Sequence, residues 1–495
     1  MAALTRRLYP AIRNEWPLIL VILAAIALRI YKIAAQPLWL DEIYAVQLSR
    51  QGFTAIIQNS LKDPHPPFYY LLQMWTSGLW NVQTEFGWRW LSALCGILTI
   101  PSFYLLTRRF SGQVGSLAAT FTFAVSPFHI YYSQEARPYA FVTLLAVVST
   151  ILLVDLLAKP DSRSRWTALT ILSCMGLFSN YFYALIIGVQ ALVLLIRTRQ
   201  LEWWIYALIM TFIIGLDAFF LSTGTSNFLQ QNINSQPLTI VSYLQSLAGE
   251  PARFTVQWQH WVMLGVVGGT AIIGSILAIR QVKKRSIELY FVIQLVLALL
   301  FFIILDIAFG FQLPKHVSRQ LLILTPALFS LFAIGLDFVG KFGKRIIAVL
   351  LCILIVMASG AGIKAYWSMT KSPEGSIVLD IRPEIKSTDL VVSLDYSMTA
   401  AAYFYLSGHR VENYLRENNG VFEFTDNLLL YPLSLSQPMP ITDTSSSIRN
   451  SARFWVLNRT TNEAALYSSL TGHCAQLETT SINPFTATLW ENCQP

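Results

Sequence analysis

Residues 16–36 read WPLILVILAAIALRIYKIAAQ and run directly into PLWLDE at 37–42. A run of about twenty predominantly apolar residues matches a helix crossing a hydrocarbon core of roughly 30 Å. Arg6, Arg7 and Arg13 precede it, and no small-residue cleavage site interrupts it, so it reads as a retained span rather than a removable signal peptide. Similar runs recur at 88–107, 113–131, 138–157, 166–181, 182–197, 203–222, 260–280, 287–310, 317–339 and 345–365, making eleven spans with the first. Barrel strands would instead alternate over about ten residues. The expected fold is therefore an all-α polytopic membrane protein.

Composition agrees with that reading. Of 495 residues, 54% are apolar and 13% charged, and mean hydropathy is +0.51. A soluble domain of this size would expose too much apolar surface. The net charge of +8 does not point to nucleic acid, because it is unevenly spread. From Tyr366 to Pro495 there are 8 Lys/Arg against 13 Asp/Glu, so the basic excess belongs to the spans and their loops. There it records topology. Cys95, Cys174 and Cys352 fall within apolar spans and read as small buried hydrophobes. Cys474 and Cys493 are the two candidates for a disulfide if the tail is extracytoplasmic.

With the N-terminus in the cytoplasm, the inner loops carry Arg108-Arg109, then Lys159, Arg163 and Arg165, then Arg197 and Arg199, then Arg280 to Arg285, then Lys341, Lys344 and Arg345. Each is basic, as the positive-inside rule requires. Counting the apolar segment Phe68 to Trp80 as a span would invert this pattern, so it reads as a helix lying at the outer interface, and Ile43 to Leu61 as another. The membrane domain is expected over 1–365, with outer loops at 37–87 and 223–259. The acidic tail, 366–495, then lies outside as a small extracytoplasmic α/β domain. In it, strands are expected at Ser376 to Asp380, Asp389 to Leu394 and Arg453 to Leu457, and a helix at Ser397 to Leu406.

On this topology the unusual ionisable residues share the outer face: Asp41, Glu42, Asp63, His65, Arg89, His129, Glu135, Arg137, Lys315, His316 and Arg319. Such groups cost several kcal/mol if they enter hydrocarbon unpaired, so they are solvated, paired or functional. Asp41-Glu42 is either a solvated helix cap or a general base placed to meet a hydroxyl. Asp63-Pro64-His65-Pro66-Pro67 uses proline to fix the start of the interfacial helix and with it the direction of His65. In Ser133 to Tyr139, Arg137 can grip a phosphate or pair with Glu135. Lys315 to Arg319 adds positive charge, through snorkelling residues or as an anion site. Basic residues beside acidic ones, next to walls on which a long chain could lie, favour a phosphate-bearing lipid. Asp217 and Asp306, inside spans, keep a proton-coupled transporter in view. His65, His129 and His316 could take a divalent metal ion with carboxylates, but show no compact ligand spacing.

At these motifs the sequence resembles GT-C class membrane glycosyltransferases, in particular the bacterial family 39-like group related to protein O-mannosyltransferases and lipid A aminoarabinose transferase. The matching elements are Asp41-Glu42 after the first span, His65-Pro66-Pro67, Arg89, the Tyr132 to Tyr139 segment, and Arg319 before Pro326. The resemblance implies a polyprenyl-phosphate-linked sugar donor, inversion at the anomeric carbon, and an outward active site in a bacterial inner membrane. The acceptor is a lipid, a glycan or a protein; no large domain is inserted at Thr223 to Gln259, unlike in the protein O-mannosyltransferases. Asp41 corresponds to the essential acid and Glu42 to its neighbour. Arg137, Lys315 and Arg319 are the candidates for the donor phosphate, with Asp63, His65, Arg89, Glu135, Tyr139 and His316 as supporting or substrate-binding residues. The rival reading is a transporter or flippase, which should show repeated halves or broken helices at mid-depth, and no internal repeat is visible.

Overall fold

The structure, a computed structural model, describes residues 2–60, 66–80, 84–197, 201–231, 258–280, 287–308, 315–341, 345–386, 389–393, 396–406, 422–423, 428–430, 452–459 and 474–491. In chain order the first helices are α1 (Ala2–Ile30), α2 (Leu40–Arg50), α3 (Phe53–Ser60), α4 (Phe68–Trp80), α5 (Glu85–Thr107), α6 (Gln113–Ala124), α7 (Pro127–Ser133), α8 (Tyr139–Ala158) and α9 (Arg163–Leu177). They continue as α10 (Ala184–Arg197), α11 (Leu201–Gln231), α12 (Trp258–Arg280), α13 (Glu288–Ala308), α14 (Thr325–Lys341), α15 (Arg345–Ser368), α16 (Pro373–Ile381) and α17 (Tyr396–Leu406). The chain forms two compact units, Met1–Ile33 with Phe53–Ser368, and Ala34–Gly52 with Met369–Pro495.

The first unit is helical. Among the described residues, five helices are long and apolar enough to cross a membrane: Glu85–Thr107, Tyr139–Ala158, Trp258–Arg280, Arg319–Lys341 and one within Ile346–Glu384. Shorter apolar helices cover Tyr181–Arg197, Leu201–Leu216 and Glu288–Ile304. Their outward surfaces are themselves apolar, with Leu208, Phe212 and Ile346 more than two-thirds exposed, which suits lipid rather than water. Where α12 crosses α14, glycines permit backbone contact. A Cβ on Gly274 would lie 2.0 Å from the Leu331 carbonyl oxygen, and one on Gly335 2.1 Å from that of Thr270. Small residues are the usual means of close packing between membrane helices.

Some boundaries differ from the sequence reading. The expected span at 113–131 is broken: α6 ends at Ala124 and α7 starts at Pro127. Pro127 cannot continue a helix, and the Ser126 hydroxyl caps the new one from its N-cap position. The span expected at 166–181 ends earlier, at Leu177, and Asn180 caps a separate 3-10 turn at Tyr181–Tyr183. The start of the Thr223 to Gln259 loop is helical, since α11 runs to Gln231. The expected helix from Ile43 to Leu61 is two helices, α2 and α3, parted at Gly52, whose φ of 86° a side chain would disfavour. The α4 segment is helical over Phe68–Trp80, as read.

The second unit is an α/β layer with a mixed six-stranded sheet, β1 (Leu390–Ser393), β2 (Phe422–Glu423), β3 (Leu428–Leu430), β4 (Arg453–Arg459), β5 (Ala475–Ile482) and β6 (Phe485–Glu491). Its order is β2-β3-β1-β4-β6-β5. Strand β1 runs parallel to β3 and β4, and the other pairs are antiparallel. Phe454 to Asn458 are all buried, the near-continuous apolar run of a strand covered on both faces, while the edge strand β5 is largely exposed. The expected strand at Ser376 to Asp380 is instead part of α16. Ser372 accepts a hydrogen bond from the Gly375 N–H (3.2 Å) and Pro373 takes the first helical position, so this helix-start signal outweighs the short apolar alternation. Cys474 is disulfide-bonded; Cys493 lies outside the described residues.

Candidate functional site

Asp41 and Glu42 sit in the first turn of α2, in the second unit, rather than in a loop of the membrane helices. Their surroundings differ. Asp41 is half-buried, whereas Glu42 is fully buried. One Glu42 oxygen, Oε2, accepts from the Trp39 N–H at 3.3 Å, satisfying a donor at the helix start. The other, Oε1, lies 3.9 Å from Nζ of the buried Lys371.

The chain before α2 is held just as closely. The Leu38 N–H donates to the Tyr405 hydroxyl at 2.6 Å, and the Leu38 carbonyl accepts from Ser372 Oγ at 3.0 Å. Gln36 donates through Nε2 to the Met369 carbonyl at 2.6 Å, and its Oε1 accepts from the Lys371 N–H. Farther along α2, the Arg50 guanidinium lies 5.0 Å from the centroid of the Phe404 ring. Burial lowers its pKa from the usual arginine value. The arrangement sets a half-buried carboxylate, Asp41, beside a fully buried one that faces Lys371.

In the first unit, the residues from Gln134 to Tyr139 link α7 to α8 and bring several candidates together. Arg137 is buried; its Nη1 donates to the Tyr70 hydroxyl at 3.1 Å, and its carbonyl accepts from Ser92 Oγ at 2.9 Å. Ser92 Oγ also meets the Tyr69 hydroxyl at 2.7 Å, so α4 and α5 both fix this turn. Glu135 is buried, with its carbonyl accepting from the Arg137 N–H at 2.7 Å. Tyr139 opens α8, and its ring lies 5.5 Å from the Arg319 guanidinium carbon and 5.1 Å from the Tyr132 ring. One helical turn before Ser92, Arg89 donates to the Ile33 carbonyl at 2.8 Å.

Below this turn lies a cluster centred on Arg29, which the sequence reading did not single out. Arg29 is fully buried in α1 and donates through Nη1 to the carbonyls of Ala25 and Ala124, at 3.2 and 3.0 Å. Ala124 ends α6, so the cation meets a carbonyl released by the break at Pro127, where the helix dipole is negative. Arg29 Nη2 donates to His129 Nδ1 at 2.7 Å. An arginine can only donate, so Nδ1 is the acceptor. The third partner of this end is Gln134, whose Nε2 donates to the carbonyls of Arg29 and Tyr31 while its Oε1 accepts from the Tyr366 hydroxyl. A lone arginine inside the 16–36 span was the available signal.

Asp63 and His65 lie outside the described residues. Lys315 and His316 occupy a 3-10 turn, Lys315–Leu324; their side chains, and those of Asp217 and Asp306, lie outside the described set. Among the described residues, no group of three or more His, Cys, Asp or Glu could hold a metal ion.

Residues 64–222 match the family described as dolichyl-phosphate-mannose-protein mannosyltransferase. In fold the chain is similar to ArnT from Cupriavidus metallidurans bound to undecaprenyl phosphate, at 12% identity and a TM-score of 0.58, over 95% of this chain and 97% of that one. It is similar too to the archaeal oligosaccharyltransferase AglB from Archaeoglobus fulgidus in complex with an inhibitory peptide and a dolichol-phosphate. That likeness has 10% identity and a TM-score of 0.56, over 98% of this chain and 75% of that one. No curated protein sequence matches the chain. With its apolar helices, its family match and this shared architecture, the chain is a multi-pass membrane protein with the fold of the GT-C glycosyltransferases, the class its motifs resemble.

Proposed function

We propose that this protein transfers a sugar from a polyprenyl-phosphate donor to an acceptor hydroxyl at the extracytoplasmic face of a bacterial inner membrane. The observation that carries the reading is the match of residues 64–222 to a family named for a lipid-phosphate-sugar donor. The fold shared with a protein bound to undecaprenyl phosphate supports the same donor class.

A sugar phosphate brings its own leaving group, so the protein needs a base for the acceptor and cations for the departing phosphate. In this reading the half-buried Asp41 is the general base. The acceptor proton passes to the Asp41 carboxylate while the acceptor oxygen attacks the anomeric carbon from the side opposite the phosphate. A new C–O bond forms, the bond to the phosphate oxygen breaks with its electron pair, and the configuration inverts. Arg137, Lys315 and Arg319 meet the charge on the released polyprenyl phosphate, the two arginines as bidentate donors and the lysine as a point charge. Glu42, the acidic neighbour buried beside Lys371, acts on the acceptor only through the turn that carries Asp41. Arg89, Glu135 and Tyr139 are the supporting or substrate-binding candidates of the first unit, with Asp63, His65 and His316 as further candidates. Membrane lipids surround the protein, and the acceptor is a lipid, glycan or protein.

The test is Asp41→Asn in membranes supplied with labelled polyprenyl-phosphate sugars. Transfer should fall on the order of 10²–10⁴-fold, the usual contribution of a general base, while the protein stays folded. Full activity would remove Asp41 from this role.

A further inference from the structure

The proposed base is carried by a helix whose first turn is anchored by residues more than 300 positions later in the chain. Lys371 contributes twice. Its backbone N–H donates to Gln36 Oε1, and its ammonium lies 3.9 Å from Glu42 Oε1. Both side chains of this ion pair are almost fully buried, where a carboxylate without a counter-charge would be costly. Glu42 in turn accepts from the Trp39 N–H that opens α2. Ser372 Oγ donates to the Leu38 carbonyl, and the Tyr405 hydroxyl accepts from the Leu38 N–H. Packing closes the same contact from outside: a Cβ on Gly375 would lie 2.9 Å from Pro37 Cβ. Asp41, adjacent to Glu42, has its backbone fixed by this set.

We propose that Lys371 is a positioning residue for the acidic pair: its ammonium fixes Glu42 and, through the first turn of α2, sets the direction of the Asp41 carboxylate. Lys371 neither accepts the proton nor touches the reacting atoms. The proposal rests on the function proposed above, in which Asp41 is the base. A displacement of about 1 Å in a catalytic group can cost on the order of 10²-fold in rate. It does so without weakening substrate binding, so kcat should fall with KM little changed.

The experiment compares the full-length parent with Lys371→Gln, Lys371→Arg and Asp41→Asn. It uses melting temperature, amide hydrogen exchange over α2, and steady-state transfer from a panel of labelled undecaprenyl-phosphate sugars. Lys371→Gln is expected to fold but to melt below the parent, since it leaves the buried Glu42 without its counter-charge, to exchange faster at the first turn of α2, and to lose on the order of 10- to 100-fold in kcat. Its donor KM should stay within about twofold. Lys371→Arg, which keeps the cation, should restore both the exchange and most of kcat. Unchanged kcat and unchanged α2 exchange in Lys371→Gln would overturn the proposal. So would failure of Lys371→Gln to fold, since Lys371 would then serve the fold rather than the pair. Full transfer by Asp41→Asn, or none by the parent with any donor, counts against the proposed function instead; the exchange data then decide the placement of Lys371 without a substrate.

Discussion

Gly96 is the point at which α5 approaches α7, and replacing it with alanine tests how tightly that contact governs the turn bearing Glu135 and Arg137. The added methyl would stand 2.1 Å from Ser133 Oγ, 2.7 Å from Ser133 Cβ and 3.2 Å from Arg29 Nε. Carbon atoms in contact prefer about 3.5–4.0 Å, so the two helices must part by on the order of 1 Å. Rotation of the serine gives no relief, because its Cβ is fixed to the backbone and its Oγ donates to the His129 carbonyl at 2.6 Å. Overpacking of this kind costs about 1–3 kcal/mol. The shift also reaches the Ser92 to Arg137 bond, since Ser92 lies one turn before Gly96 on α5. Gly96→Ala is therefore expected to lower stability by about 1–3 kcal/mol and kcat by on the order of 10- to 100-fold. Ser133→Gly deletes both clashing atoms. Placed in Gly96→Ala it should recover stability, with a coupling of at least about 1 kcal/mol, despite the roughly 0.5–1 kcal/mol that a helical glycine costs. Unfolding in detergent of the parent, both single variants and the double variant measures this cycle, and sugar transfer by the same four proteins measures the activity. Strict additivity, or a Gly96→Ala protein that melts with the parent, refutes the close-contact account.

Asp337, on α14, accepts from the N–H groups of Gly112 and Gly115 and from Ser111 Oγ, so it caps α6 from another helix. Asp337→Ala should destabilise by about 2 kcal/mol, within the range for charged hydrogen bonds and lost caps, measured by the same unfolding assay; no change would deny the cap its role. In the second unit, Tyr405→Phe removes the acceptor of the buried Leu38 N–H. It is expected to cost about 1–3 kcal/mol and to speed amide exchange at Leu38, and unaltered exchange there would count against the anchoring of α2.

Hydropathy made the helical, membrane-spanning character legible, because a helix that crosses lipid must be apolar over a fixed length. It also set the limits of Phe68–Trp80. It failed where a local stop signal lies within an apolar run. Ser126-Pro127 divides α6 from α7, yet averaging over 113–131 hides one serine and one proline among many apolar neighbours. Ser372-Pro373 is the same signal at α16, set against an alternation too short to distinguish strand from helix. Gly274 and Gly335 are informative only once the two helices are known to cross, since a glycine within a span has no unique reading.

The candidate site was legible to the extent that its residues are unusual for their place. Ionisable groups at the ends of apolar runs drew attention to Asp41, Glu42, Arg89, Glu135, Arg137 and Arg319, and the structure sets Arg137 against Tyr70 and Arg319 over Tyr139. What distinguishes Asp41 from Glu42 was not legible, because two adjacent carboxylates look alike until their surroundings are known. Glu42 is buried against Lys371, a residue that in the sequence is one of two lysines in an acidic tail. No periodicity links positions 42 and 371; only the folded backbone, crossing between the units at Ile33–Ala34, Gly52–Phe53 and Ser368–Met369, puts α2 with the tail. An acidic pair with one fully buried and one half-buried member differs in its surroundings in a way the dipeptide alone cannot express. In the proposed mechanism the buried carboxylate and its lysine hold the turn, and the half-buried Asp41 exchanges the proton.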